Sequence, residues 1–158
     1  MKSAAATTGA SGGHARYDRA PYRVAHCKRT ARTRFPVAPP RTLLFVYGTL
    51  KRGERNHRLL ADQQFVSRAA TVPRYRVVDL GPYPGLIRDH ATGLAVHGEL
   101  FAVDECGLAE LDDFEGVPDL FVRESIEVEG HGPAWAYYLN VPIPGSAKSG
   151  DRWPFVAS

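Results

Sequence analysis

Two short segments of this sequence hold the groups best suited to chemistry, and the first follows an apolar run. Leu43–Tyr47 is apolar and stops at Gly48-Thr49-Leu50, a pattern typical of a buried strand that feeds a tight loop. Gly48 permits a positive φ and lets a ligand approach bare backbone. Successive backbone N–H groups in such a loop can form a nest for a carboxylate or phosphate. On spacing alone, the commoner explanation is a strand that ends in an ordinary glycine turn.

The second segment is Asp112-Asp113-Phe114-Glu115, which offers three carboxyl groups. Glu115 follows a predicted short helix and stands beside Phe114. An apolar neighbour partly desolvates a carboxylate and raises its pKa toward the range useful for acid–base catalysis. The residues alone do not choose among Asp112, Asp113 and Glu115, because all three could lie on a solvated helix end.

The elements that must position these segments are mostly strands. Besides Leu43–Tyr47, the pattern predicts strands over 65–72, 75–80, 95–103, 121–129 and 134–139. It predicts short helices over 57–62 and 104–113, with Asp104 as the N-cap of the second, and a rigid turn over 81–85. Strands interrupted by two short helices predict an α+β domain with a small curled mixed sheet or barrel.

Charge divides the chain unevenly. Residues 1–41 hold nine Lys or Arg and one acid, Asp18, whereas residues 42–158 hold eleven basic and sixteen acidic residues. The first part is predicted to be a disordered basic extension, and a transit peptide, an over-extended start or a functional arm all remain open for it. The folded part carries a mild negative charge, so no nucleic-acid partner is expected. No apolar run approaches the ~20 residues that span a bilayer, and no secretory core is present, so a cytoplasmic location without membrane attachment is predicted.

A family resemblance runs through these motifs. Phe45–Gly53 reads Phe-Val-Tyr-Gly-Thr-Leu-Lys-Arg-Gly and resembles the signature of the γ-glutamylcyclotransferase-like (AIG2-like) family, closest to its γ-glutamylamine cyclotransferase branch. Four further segments match in order: Asn56–Leu60, Pro82–Leu86, Gly98–Asp104 and Leu111–Glu115. The resemblance covers residues 42–140, which is the predicted catalytic domain. Residues 141–158 are predicted to be a C-terminal coil.

The resemblance implies an enzyme that closes a γ-glutamyl compound to 5-oxoproline and releases an amine or amino acid. It implies Glu115 as the general acid/base, and the backbone of Gly48, Thr49 and Leu50 as the seat of the γ-glutamyl part. Tyr47 is expected either near the reacting centre or in the core with a satisfied hydroxyl. An intramolecular ring closure needs only a held conformer and proton movement, so no metal or other cofactor is expected. The expected partner is the small-molecule γ-glutamyl substrate.

Several alternatives stay open at this point. The family often has a Tyr at the place of Phe121, so a phenol that orients substrate would be missing here. A non-catalytic module that binds a γ-glutamyl-like metabolite is the competing interpretation, and the acid at position 115 favours the enzyme. Neither the amine that leaves nor the oligomeric state follows from the sequence.

Overall fold

The computed structural model describes residues 40–155, so the predicted extension lies almost wholly outside the described residues. The described chain has the predicted α+β architecture, with a curled mixed sheet. Its strands are β1 (Arg41–Val46), β2 (Gln64–Ala70), β3 (Tyr75–Asp79), β4 (Pro84–Arg88), β5 (His97–Asp104), β6 (Phe121–Val128), β7 (Gly132–Leu139) and β8 (Ser149–Gly150). One α-helix, α1 (Glu105–Glu115), lies between β5 and β6, and a 3₁₀ helix spans His57–Leu60.

Strand β1 lies at the centre of a five-stranded sheet with the order β2-β5-β1-β7-β6. It pairs antiparallel with β5 and parallel with β7. Leu44, Phe45 and Val46 are almost completely buried, and Phe45 faces one core cluster while its two neighbours face the other. A strand covered on both faces has no polar alternation, which explains the continuous apolar run before Tyr47.

The sheet curls until its two outer strands meet at one end. Thr71, just after β2, forms a bridge with Val128 at the end of β6, and the Glu129 N–H donates to the Ala70 carbonyl at 2.9 Å. Thr71 is fully buried, and its hydroxyl accepts from the Val96 N–H at 2.9 Å and donates to the Val72 carbonyl. The closure encloses one of the two core clusters.

A second, three-stranded sheet has the order β4-β3-β8. Its third strand, β8, lies in the segment that the sequence predicted as coil and pairs antiparallel with β3. Trp153 and Phe155 then pack against the core cluster inside the barrel, and the Lys51 ammonium group donates to the Trp153 carbonyl. The described part of the C-terminal segment is therefore a strap across the domain.

Local capping interactions determine both ends of helix α1. The Asp104 carboxylate accepts from the Gly107 N–H at 2.8 Å, as the sequence predicted for an N-cap. Gly116 ends the helix in the left-handed region (φ 68°), with its N–H bonded to the carbonyls of Asp112 and Asp113, the usual glycine stop. Leu108 and Leu111 bury one side of the helix. The last helical residue is Glu115, two residues beyond the predicted end.

Among residues 40–155, no helix has the length and apolarity needed to cross a membrane.

Candidate active site

Two adjoining cavities meet at the end of α1. A small inner cavity of about 30 Å³ lies under the loop that follows β1, and an open outer cleft of about 640 Å³ continues toward solvent. Four residues line both cavities: Thr49, Tyr83, Glu115 and Phe121. A ligand with a small polar head and a variable second part could therefore place its junction beside Glu115.

Glu115 projects from the last turn of α1 into this junction. Burial raises the pKa of its carboxyl group from 4.5 to about 7, because removal of water penalises the charged form. The residue keeps partial exposure through the cavities, and within the described part of the chain its carboxylate has no hydrogen bond or salt bridge. Such a group can exchange a proton with a bound ligand near neutral pH.

The geometry distinguishes between the three carboxyl groups among which the sequence could not choose an acid–base group. Asp112 is engaged elsewhere, since it pairs with Arg123 at 2.8 Å and accepts from the Tyr137 hydroxyl at 2.8 Å. Asp113 is exposed and lines only the outer cleft. Glu115 alone among these three borders both cavities, which favours it as the acid–base group.

The loop Gly48–Leu50 is buried and forms one wall of the inner cavity. Within residues 40–155, the backbone N–H groups of Gly48, Thr49 and Leu50 have no hydrogen-bond acceptor. Buried N–H groups are nearly always paired in proteins. Three successive donors without a partner therefore favour a ligand with acceptor oxygens at this wall.

Of the two expected reasons for glycine at position 48, the positive φ is wrong. The glycines with positive φ among the described residues do not include Gly48, so no left-handed conformation is needed there. The requirement is space, because a Cβ on Gly48 would lie 2.6 Å from Cγ of Pro84. Pro84 opens strand β4, and its ring packs directly on the loop.

Tyr47 combines features of its two expected roles, a satisfied hydroxyl in the core and a position beside Glu115. Its hydroxyl donates to the Tyr137 carbonyl at 2.8 Å and accepts from the Leu86 N–H at 3.1 Å. Burial raises the pKa of this phenol, and the neighbouring Glu115 carboxylate raises it further. The side chain lines the inner cavity while its hydroxyl joins the two sheets, from β7 to β4.

Interactions at both ends hold the loop in place. The Glu99 carboxylate, on β5, accepts from the backbone N–H of Arg52 at 2.9 Å and from its Nε at 3.2 Å. The Arg52 guanidinium also lies 3.4 Å over the ring of Phe65. Asn56 donates from its side chain to the Thr49 hydroxyl and from its backbone to the Thr49 carbonyl. The loop therefore has a fixed shape before any ligand arrives.

Sequence reasoning missed Tyr83 as a residue of the site. Tyr83 lies in the Pro-Tyr-Pro-Gly segment that was predicted as a turn, and its ring packs edge-on against Phe121 at 6.0 Å. Phe121 borders both cavities, so it gives this part of the site an apolar wall. The two prolines around Tyr83 were the signal that its position is fixed.

No group of three or more His, Cys, Asp or Glu side chains in the described range is arranged to hold a metal ion.

The chain resembles proteins of one family over most of its length. A family model described as gamma-glutamyl cyclotransferase, AIG2-like, matches residues 44–155. A Vibrio cholerae protein named "Putative gamma-glutamylcyclotransferase" is 47% identical over 95 residues, which are 60% of this chain and 79% of the relative. The Homo sapiens gamma-glutamylaminecyclotransferase is 44% identical over 94 residues, which are 55% of this chain and 61% of the relative. The match thus spans less than two thirds of the human protein.

A solved structure shares the fold. The crystal structure of an AIG2-like protein from Mus musculus superposes with a TM-score of 0.60 at 33% sequence identity. The match covers 66% of this chain and 80% of the mouse chain.

Proposed function

The chain belongs to the gamma-glutamyl cyclotransferase, AIG2-like family, and on that premise we propose that it converts γ-glutamyl compounds to 5-oxoproline and a free amine, with Glu115 as the general acid/base. The observation that carries the proposal is the position of Glu115. Its carboxyl group, with a pKa raised to about 7 by burial, lies where the inner cavity opens into the outer cleft.

The reaction requires two proton transfers, and a single acid–base group can perform both. The α-amine of the substrate attacks its own γ-carbonyl carbon, a C–N bond closes the five-membered ring, and the bond to the amine that leaves breaks. The attacking nitrogen loses a proton and the departing nitrogen gains one. Because both nitrogens are bonded to the same carbon in the intermediate, one carboxylate can accept the first proton and return it to the second. A pKa near the working pH suits both steps.

The wall of the inner cavity suits the polar end of the γ-glutamyl part, since its volume of about 30 Å³ admits a small polar group. The N–H groups of Gly48, Thr49 and Leu50, which have no acceptor within residues 40–155, can donate to oxygen atoms of the substrate. Their fixed geometry favours the bent conformer that must form before ring closure. Tyr83 and Phe121 border both cavities beside Glu115, and their bulk contributes to the burial that raises its pKa.

The outer cleft suits the amine that leaves. Its lining includes two carboxylates, Asp113 and Asp119, and one guanidinium, Arg55, which donates to the Pro82 carbonyl. The net negative charge opposes a departing group with a free carboxylate and favours one without it. We therefore expect γ-glutamylamines to react faster than γ-glutamyl amino acids with a free α-carboxylate.

The test is to incubate the full chain with a panel of γ-glutamylamines and γ-glutamyl amino acids and to measure 5-oxoproline. Glu115→Gln should lower the rate by ~10²–10⁴-fold, the usual loss for an acid–base group. Glu110→Gln, on an exposed face of the same helix, is the matched control and should keep wild-type activity. Binding of 5-oxoproline without any turnover would instead support a non-catalytic binding module.

A further inference from the structure

The carboxylate of Asp112 collects three hydrogen bonds one helical turn before Glu115. Arg123 donates from Nε to Oδ1 at 2.8 Å and from Nη2 to Oδ2 at 3.0 Å. The Tyr137 hydroxyl donates to Oδ1 at 2.8 Å. A two-point Arg–carboxylate pair with an additional phenol donor is strong and geometrically specific. We call these three residues the Asp112 clamp.

The clamp joins three elements at one point. Arg123 on β6 and Tyr137 on β7 stand directly opposite each other in the antiparallel register, so two neighbouring strands present their donors side by side. The carbonyl of Asp112 also accepts the N–H groups of Gly116 and Val117, which end the helix. Asp112 therefore fixes the last turn of α1 against the sheet through both its side chain and its backbone.

Tyr137 connects the clamp to the two walls of the inner cavity. Its ring lines that cavity next to Glu115, and its carbonyl accepts the hydroxyl of Tyr47. Burial raises the pKa of the Tyr137 phenol, and its hydrogen bond to the Asp112 carboxylate raises it further. The phenol thus stays protonated and donating throughout the pH range in which Glu115 changes its charge.

We propose that Asp112, Arg123 and Tyr137 are positioning residues that hold the Glu115 carboxylate at the junction of the two cavities and balance the charge behind it. The proposal rests on the proposed function, since positioning matters for a group that moves protons. The Glu115 carboxylate has no hydrogen bond within residues 40–155, so its direction is set by the helix end that carries it. The clamp is what fixes that helix end to β6 and β7.

The charge balance predicts in which direction each substitution in the Asp112 clamp shifts the pKa of Glu115. Tyr47 and Tyr137 interact electrostatically with Glu115, and Asp113, Asp119 and Arg55 line the outer cleft with it. Asp112 and Arg123 line neither cavity and are linked to Glu115 through Tyr137. Arg123→Gln leaves the Asp112 charge unbalanced and should raise the pKa of Glu115. Asp112→Asn leaves the Arg123 charge unbalanced and should lower it. We expect shifts of about half a pH unit in opposite directions.

The chain offers a matched control. Arg76 pairs with Asp89 at 2.8 Å, and the exposed fractions of these side chains, 24% and 21%, are close to the 26% and 27% of Arg123 and Asp112. Arg76 lies on β3 and Asp89 lies directly after β4, and neither residue lines the two cavities. Arg76→Gln therefore removes a similar ion pair away from the site.

The experiment combines kinetics with a direct titration. In the full chain, Arg123→Gln and Tyr137→Phe should each lower kcat about tenfold, because small misplacements of a catalytic group are costly, while KM stays within about twofold of wild type. Arg123→Lys should recover part of the loss, since it keeps the charge and loses the fork. Arg76→Gln should keep wild-type kcat. The pKa of Glu115 is followed by NMR of ¹³C-labelled glutamate carboxyl groups in the wild type, Arg123→Gln and Asp112→Asn.

Three results would overturn the proposal: unchanged kcat in both clamp variants, an equal loss of kcat in Arg76→Gln, or a rise in KM at constant kcat. A Glu115 titration that moves in the same direction in Arg123→Gln and Asp112→Asn would refute the charge balance. The NMR measurement needs no turnover. If the wild type releases no 5-oxoproline, the proposed function fails, and the direction of the two titrations still decides whether the clamp acts on Glu115.

Discussion

Replacing Glu115 with Gln should make the protein more stable and inactive at the same time. The pKa of this carboxyl group is raised from 4.5 to about 7 by burial in the fold. A carboxyl group with a higher pKa in the folded chain binds its proton more tightly there than in the unfolded chain. The free energy of unfolding therefore falls as pH rises from about 4.5 to about 7, and the loss is complete above that range.

The size of the effect follows from the two pKa values. A difference of one pKa unit corresponds to 1.36 kcal/mol, so the charged Glu115 destabilises the fold by about 3 kcal/mol at pH 8. Gln has nearly the same shape and no charge to desolvate. Glu115→Gln should then be up to about 3 kcal/mol more stable than wild type at pH 8, which corresponds to a rise in Tm of about 10 °C for a domain of this size.

The assay is urea unfolding of both proteins at pH 8, 6 and 4.5. The difference in the free energy of unfolding should be largest at pH 8 and should disappear at pH 4.5, where the wild-type carboxyl group is protonated in the folded state. Glu110→Gln, on the exposed side of the helix, should show no such pH dependence. A Glu115→Gln protein with no stability gain at pH 8, or with a gain that is equal at every pH, would refute the placement of this carboxyl group in a desolvated site.

Three further predictions concern the same site and the strap behind it. The kcat/KM for 5-oxoproline release should rise about tenfold per pH unit below pH 7 and level off above it, because Glu115 must be ionised to accept a proton; a plateau that begins near pH 5 would contradict this. Gly48→Ala should lower the free energy of unfolding in urea by about 1–3 kcal/mol and weaken 5-oxoproline binding in calorimetry, since its Cβ would lie 2.6 Å from Pro84 Cγ. Adding Pro84→Ala should restore part of the stability and part of the binding, and no recovery would mean that this contact is not the cause. Phe155→Ala should lower the free energy of unfolding by about 2 kcal/mol, because this ring packs on the core. Ile143→Ala, at an exposed position, should change it by less than about 0.5 kcal/mol. Equal effects of the two substitutions would show that the strap is not packed on the domain.

The sequence predicted elements well where the pattern was local. The strand before Tyr47, the Asp104 cap and the strand from Phe121 are all present, because apolar alternation and capping chemistry act over a few residues. Strand β4 was missed, since Pro84 and Gly85 signal a turn. An edge strand tolerates a proline at its start, and β4 is an edge of its sheet.

Long-range packing accounts for the remaining differences. Strand β8 has two residues, Ser149 and Gly150, too few for any periodicity, and it exists because β3 offers a partner. The reason for glycine at position 48 lies in a proline far along the chain, which no local pattern reveals. The prediction for the site named the loop and Glu115, which the structure brings to one cavity, whereas Tyr83 was identified only by three-dimensional contact.

The connectivity of β1 also has a consequence for how the site comes into being. This strand is the first in the described chain, yet it lies between β5 and β7, and Leu44 pairs with Trp135. Contacts between residues so distant in sequence slow folding, because a large loop must close before they form. During synthesis β1 leaves the ribosome long before β7, and an unpaired apolar strand of this kind favours aggregation. We therefore expect the Gly48–Leu50 loop to take shape among the last events of folding, in the millisecond-to-second range typical of such topologies.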